Sequence, residues 1–360
     1  MAYPDLTANP VVSDKVVYKL IVKDGSGNSL GEFEKYKNLR FSKRLNNYGE
    51  CSFAVPVNDP KIASLIALRI YSVYIYRDDI LIWAGEQATR EGSLNDKGDN
   101  WVYITCYDWF EQWFSRYTDA EEIFSNVDAG QIAWSLIDTA QSETDGDFGI
   151  NEGTIEATQN RDRTYYNQNI GEAIVNLSNA INGFDFEINT SKAFNVYSVI
   201  GIDRSNDIRL EYGINIRYMR ITEDFSKPIN RAIVLGDSGV LSDPLRVERE
   251  DLTSQGIYKI REDLLNDMGV STIANLEEKG DAMLRKYEAP LYKISMAIVR
   301  STTPTIADFS IGDIITLIIK TGIYNINTQF RVFGWEVDYE ADDTETLSLT
   351  LGNFYLPTFS

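Results

Sequence analysis

Short runs in which apolar side chains recur at every second position fill both ends of this chain. Cys51, Phe53, Val55 and Val57 alternate with Ser52, Ala54 and Pro56. That is the period of a half-buried strand, and Pro56 marks a sheet edge. Val16 to Lys23 is an apolar run closed by the turn pair Asp24-Gly25. Ile70 to Tyr76 and Ile80 to Ala84 flank Arg77-Asp78-Asp79 as the arms of a hairpin, and Trp101 to Cys106 follows the polar turn Asn95 to Asn100. Short strands at turn-like spacing predict a small β-barrel over residues 1–117.

The period then becomes helical. Asp128 is placed to cap a helix whose Ile132, Leu136, Ile137 and Ala140 share one face. Asn169 and Glu172 form a capping box ahead of Ile170, Ile174, Leu177 and Ile181, with Gly183 as the stop. Phe184 to Ile188 and Ala193 to Ile200 read as strands, so residues 118–205 are expected to form a mixed α/β domain. Strand periodicity returns at Ile214 to Ile221 and Arg231 to Gly236. A third helix is capped by Ser271 and ended by Pro290, with Ile273, Leu276, Met283, Leu284 and Tyr287 on one face. Residues 239–288 are therefore a helical insertion. The rest is strand: Ile294/Met296/Ile298, Ile314 to Ile319, Trp335/Val337/Tyr339 and Leu347/Leu349/Leu351. Residues 206–238 and 289–360 together make a second β-barrel.

Two long segments share one order of elements. IYSVYIYRDDILIWAGEQATRE, a polar turn and WVYITC stand in the first β region; IITLIIKTGIYNINTQFRVFGWEVDYE, an acidic turn and TLSLTL stand near the end. Gly85 and Gly334 fall at matching steps. The expected fold is mainly β with α+β insertions: two similar small β-barrel domains plus helix-containing inserted domains.

Composition narrows the chemistry. The 360 residues leave room for two or more domains. Acidic residues number 54 against 34 basic, a formal charge of −20, so the average surface repels a duplex or an anionic membrane. Histidine is absent, which excludes Ser-His-Asp and Cys-His catalysis and every zinc site that needs imidazole. Cys51 and Cys106 sit in strand-like runs and are expected as buried, reduced thiols. The longest aliphatic run, Ile314 to Ile319, is too short to span a bilayer, and MAYPDLTANP has neither the basic start nor the apolar stretch of a signal peptide. The chain is expected to be made in the cytoplasm.

Four stretches resemble the tail hub, or baseplate hub, proteins of tailed phages. They are Asn47-Tyr48-Gly49-Glu50-Cys51-Ser52-Phe53 leading to Asp59; Ile82-Trp83-Ala84-Gly85 followed by Cys106-Tyr107-Asp108 and Arg116; Asn182-Gly183-Phe184-Asp185-Phe186; and Asn230 to Pro290, where Gly236 leads through Tyr258 to a helix. The resemblance implies a homotrimer whose two barrels per chain form a pseudo-sixfold ring. Such a ring would join the tail tube, or a distal tail protein, to a tip, fibre or receptor-binding protein in the virion tail tip. Tape-measure protein and DNA would leave through its channel, DNA only in passage. Many members of the family carry a C-terminal cell-wall hydrolase; here the chain stops at Ser360, soon after Leu351, and no such domain is expected.

No catalytic, cofactor-binding or metal-ligating residue is assigned. Glycoside hydrolysis needs only two acids, but Glu121-Glu122 reads as the start of a helix and Asp342-Asp343 as a turn. Asp145-Gly146-Asp147-Phe148-Gly149-Ile150-Asn151 departs from a calcium loop at Gly149 and has no Glu at the twelfth position, so a flexible acidic loop is the better reading. The aromatic cluster Tyr107, Trp109, Phe110, Trp113, Phe114 and Tyr117 reads as a helix wedged between the first barrel and the mixed domain. A sugar-stacking surface is the sharper alternative. The expected function is a structural hub; the alternatives are a carbohydrate- or receptor-binding phage protein and a carboxylate-dependent glycosidase.

Overall fold

The computed structural model describes residues 16–352, apart from 65–68, 99, 181, 225, 239–242, 268–269, 271, 288–290, 299–305, 307, 309 and 341–344. Ile181, Ser271, Pro290, Asp342 and Asp343 therefore lie outside the described residues. The first segment folds as β1 (Tyr18–Lys23), β2 (Ser29–Glu32), β3 (Lys37–Arg44), β4 (Glu50–Pro56), α1 (Pro60–Ser64), β5 (Ser72–Arg77), β6 (Ile80–Ser93) and β7 (Trp101–Asp108). Alternation decides which face is buried: Tyr18, Leu20 and Val22 point inward from β1, and Cys51, Phe53 and Val55 from β4.

The middle segment holds β8 (Glu122–Asp128), α2 (Ala129–Gln141), β9 (Asn151–Ile155), β10 (Asn160–Tyr165), α3 (Ile170–Ser178), β11 (Asp185–Ile188) and β12 (Ala193–Tyr197). Asp128 caps α2 by accepting from the N–H groups of Gly130 at 2.9 Å and Gln131 at 3.1 Å. Ile132, Leu136, Ile137 and Ala140 are all buried, as their spacing predicts. Asn169 caps α3 through the Glu172 N–H at 3.0 Å. Two expectations are corrected. Glu121-Glu122 does not open a helix: Glu122 begins β8, which pairs antiparallel with β10. The helix at Ile170 ends at Ser178, a turn before Gly183.

The last segment runs β13 (Arg209–Glu211), β14 (Ile216–Asp224), β15 (Arg231–Gly236), β16 (Leu245–Glu250), α4 (Leu252–Tyr258), β17 (Glu262–Asp267), α5 (Ile273–Tyr287), β18 (Leu291–Ile298), β19 (Ile314–Thr321), β20 (Tyr324–Tyr339) and β21 (Glu345–Gly352). Strand β15 pairs with β16 and β17 in a sheet of its own, over which α5 packs around Val234, Val247, Val270 and Leu276. Leu276 is fully buried on the predicted face of α5, whereas Ile273 is 47% exposed.

Thirteen strands form one sheet with the order β14-β18-β21-β20-β3-β4-β7-β6-β5-β1-β2, and β19 and β13 branch from β20. The first and last segments thus meet at the antiparallel pair β20–β3, where Val337 faces Phe41 and Asp338 faces Arg40. One apolar core runs under both, from Leu20 and Phe41 to Val337 and Leu349. A second core belongs to the middle segment. The fold is mainly β with helices inserted between strand sets.

Candidate functional site

Polar side chains lie buried or half-buried at several joints of this molecule, within its segments and between them. Gly49 donates to Asp108 Oδ2 at 2.6 Å, Phe110 donates to Asp108 Oδ1 at 3.1 Å, and Asp108 N donates to Gly49 O at 3.0 Å. Burial raises the Asp108 carboxyl to about 7, against the two N–H bonds that favour its charged form. Gly49 is required here because a Cβ would run into the Ser42 carbonyl. Two stretches singled out in the sequence, around Gly49 and Asp108, are therefore one contact.

A second joint ties three segments together. Asn46, just after β3, donates through Nδ2 to Asp185 Oδ1 at 3.0 Å, and its Oδ1 accepts from Phe186 N at 2.8 Å. Asp185 Oδ2 accepts from Ile200 N at 2.8 Å and forms a buried ion pair with Arg331 of β20. Arg331 also donates to Gly312 O at 3.1 Å and Ile200 O at 2.9 Å. A third joint links β1 and β5 to β21. Arg77 grips Glu345 at 3.0 and 3.2 Å, and the Tyr18 hydroxyl donates to Glu345 Oε2 at 2.5 Å. Burial and the Glu345 carboxylate push the Tyr18 phenol far up, so it stays a proton donor.

The large sheet carries two neighbouring side-chain rows of opposite character across the join. Leu347, Val337, Phe41, Cys51, Cys106 and Gln87 are aligned strand to strand, and all are buried. One residue along, Thr346, Asp338, Arg40, Ser52, Thr105 and Thr89 are aligned on the opposite face. Not one of these six is buried. Arg40 pairs with Glu336 and lies 3.5 Å from Asp338. A shallow groove of about 420 Å³ runs along this face, lined by Asn38, Arg40, Ser52, Tyr103, Thr105 and Asp338 among others. This row of four hydroxyls, Asp338 and Arg40 was not singled out in the sequence; its signal was the polar half of each alternating strand.

The aromatic cluster is not one helix. Tyr107 ends β7, and a 3₁₀ turn over Glu111–Ser115 follows. Trp109, Phe110 and Trp113 are buried in the middle segment's core, with Phe110 edge-on to Phe186 at 4.7 Å and Trp113 to Phe148 at 5.3 Å. Those three buried rings offer no platform to a sugar. Trp109 and Phe114 pack on Tyr74 and Tyr48 of the first segment, so the cluster is wedged between the two segments as a turn and not as a helix, while Tyr117 is exposed. In the acidic loop, Arg116 donates to Gly146 O at 2.9 Å and Lys192 to Phe148 O at 2.9 Å, so protein cations hold two of its carbonyls. Among the described residues no group of three or more His, Cys, Asp or Glu is placed to hold a metal ion. Cys51 and Cys106 face each other across β4 and β7, free and fully buried, and desolvation raises both thiols above their ordinary value. Among the described residues no helix is long and apolar enough to cross a membrane.

Residues 204–357 match the family described as prophage endopeptidase tail. The whole fold is similar to a tail protein from Neisseria meningitidis (TM-score 0.65, 14% identity, 93% of this chain and 96% of that one). It is similar to the 43 kDa tail protein of prophage MuSo2 from Shewanella oneidensis (TM-score 0.65, 12% identity, 94% and 98%). It also matches a prophage tail protein of Listeria monocytogenes (TM-score 0.62, 13% identity, 93% and 94%). No curated protein matches the chain. The fold is that of phage tail proteins. The family match over residues 204–357 and the likeness of the whole fold point to the same class of protein.

Proposed function

We propose that this chain is the structural hub of a tail tip, acting as a homotrimeric ring with no catalytic site of its own. One observation carries the reading. Two strand sets with the same succession of pairings are merged edge to edge at β20–β3, as consecutive units of a ring would be. Two barrel-like units per chain and three chains give six similar units around an axis, the number that fits a sixfold tube above and a threefold tip below. In this reading the row of hydroxyls, with Arg40 paired to Glu336 and close to Asp338, faces the channel. There it would let DNA and tape-measure protein pass without adhesion, in keeping with a net charge of −20. The partners are a distal tail protein or tail tube on one side and a tip, fibre or receptor-binding protein on the other, in a virion tail assembled in the host cytoplasm.

The family's description includes the word endopeptidase. The hub reading assigns that activity to no residue of this chain, in which histidine is absent. Sedimentation and native mass spectrometry of the purified chain test the assembly, and cryo-electron microscopy of the intact particle tests its place. A species of three chains around a threefold axis at the tail tip is expected. A chain monomeric at every concentration and absent from the tip would overturn the proposal, and release of peptides from purified cell wall would overturn its non-catalytic part.

A further inference from the structure

The two strand sets can be aligned residue by residue from their pairings alone. Strands β3–β4–β7–β6–β5 follow one another in the sheet as β14–β18–β21–β20–β19 do. In β6 one extra residue, Ala88, separates the pairs Gln87↔Cys106 and Thr89↔Thr105. In β20 one extra residue, Phe333, separates Val332↔Leu351 and Gly334↔Thr350. Gln87 N donates to Tyr71 O at 2.9 Å, and Val332 N donates to Asp313 O at 2.9 Å. The two bulges are thus equivalent, which sets Glu91 on Glu336 and puts Thr89, not the Gly85 expected from the sequence, at the position of Gly334. On the neighbouring strands, Phe41↔Cys51 corresponds to Ile221↔Ile294, because Cys51 faces Cys106 as Ile294 faces Leu351. That sets Arg220 on Arg40.

The sets differ in one respect. Beyond its bulge, β20 gains β3 as a second partner, and Arg40 of β3 pairs with Glu336. Beyond its bulge, β6 pairs only with β7 over Thr89–Ser93, and these five residues are all exposed. Strand β14, the counterpart of β3, is the end of the sheet. Among the described residues, then, the chain ends in one acceptor edge and one donor edge that repeat its own internal joint.

We infer that β6 of one copy pairs antiparallel with β14 of the next, in the register of β20–β3, with Arg220 of the second copy on Glu91 of the first. The inference rests on the ring reading for contact between copies and adds which edges meet and how. An open edge is a template for another strand, and backbone hydrogen bonds supply its affinity. The contact is heterologous, each copy using one edge of each kind, as every ring of three copies requires. Charge gives it direction: Glu91 lies on one edge and Arg220 on the other, both exposed, in a chain whose surplus acid otherwise repels its own copies.

The test uses the full chain. Glu91→Arg or Arg220→Glu alone should weaken association by roughly tenfold per contact, since attraction is exchanged for like-charge repulsion, and the double exchange should restore it. Unchanged thermal melts confirm that each variant folds. Separately, the chain carrying Glu91→Cys with Thr222→Cys, which face each other in this register, should form a ladder of covalent oligomers on mild oxidation. Either substitution alone should give no ladder, because Cys51 and Cys106 are buried. If oligomers form but the charge variants are silent and the cysteine pair does not cross-link, the edge pairing is wrong and the ring reading stands. If the chain stays monomeric with no cross-link at any concentration, both fail.

Discussion

Replacing Arg331 with Met tests whether the joint between Asp185 and β20 holds the segments together. The pair is almost fully buried, with side-chain exposures of 9% and 8%. Removing the guanidinium leaves the Asp185 carboxylate with Asn46 and the Ile200 N–H alone, and takes the donor from the carbonyls of Gly312 and Ile200. Breaking one side of a buried ion pair costs about 3–5 kcal/mol. Asp185→Asn should cost a similar amount, since it leaves the arginine charge buried without its counter-ion. The double variant removes both charges, so its loss should fall short of the sum by about 2 kcal/mol or more. Urea unfolding followed by tryptophan fluorescence reads all three. Trp335 reports on β20, and Trp109 and Trp113 report on the middle segment. In the parent chain the two regions should unfold together; in the single variants the transition should split. Single losses below about 1 kcal/mol, or additivity within about 0.5 kcal/mol, would refute the idea that this pair is a structural joint.

Three further outcomes follow from the same geometry. Asp108 titrates near 7 in the fold and near 4 when unfolded, so the native state holds the extra proton between those values; stability should fall by up to ~4 kcal/mol as pH rises through that window, and Asp108→Asn should flatten the profile. A profile for Asp108→Asn parallel to that of the parent chain would contradict this. Gly85→Ala should cost about 1–3 kcal/mol, because its Cβ meets the Tyr107 carbonyl and the Trp83 ring, whereas Gly256→Ala in α4, with open space around it, should gain about 0.4–1 kcal/mol; calorimetric melts separate the two. Cys51 and Cys106 should resist a thiol reagent in the native chain and react in full once it is denatured, and rapid labelling of the native chain would speak against the packing of β4 on β7.

The strands readable in the sequence were those with one apolar and one polar face, such as β4 with Cys51, Phe53 and Val55. Those missed carry little apolar contrast. Strand β10 is Asn-Arg-Asp-Arg-Thr-Tyr with only Tyr165 buried, and β17 has no buried residue. Both owe their form to partners: β10 lies on β8, and β17 lies parallel to β15. The same cause explains the misreading of Glu121-Glu122, since β8 is held by β10 and by no periodicity of its own. Helix caps were readable because a cap is local: Asp128 and Asn169 bond to groups two or three residues away.

The polar face of the sheet was unreadable for a different reason. Thr89, Thr105, Ser52, Arg40, Asp338 and Thr346 come from three pairs of consecutive strands, β6/β7, β3/β4 and β20/β21, and only the register between the pairs brings them into line. No window of sequence contains that row. What the sequence did contain were its fixings. The stretches around Gly49, Asp108 and Asp185 each hold a side chain or close approach that a strand alone does not need. A buried carboxylate costs stability unless it is fully hydrogen-bonded. Asp108 ties the end of β7 to the turn before β4, and Asp185 ties the middle segment to Asn46 and to Arg331 of β20. The short, non-apolar stretches of such a chain therefore mark its joints, and the joints in turn set the register from which the exposed row, and the edges proposed to meet between copies, are read.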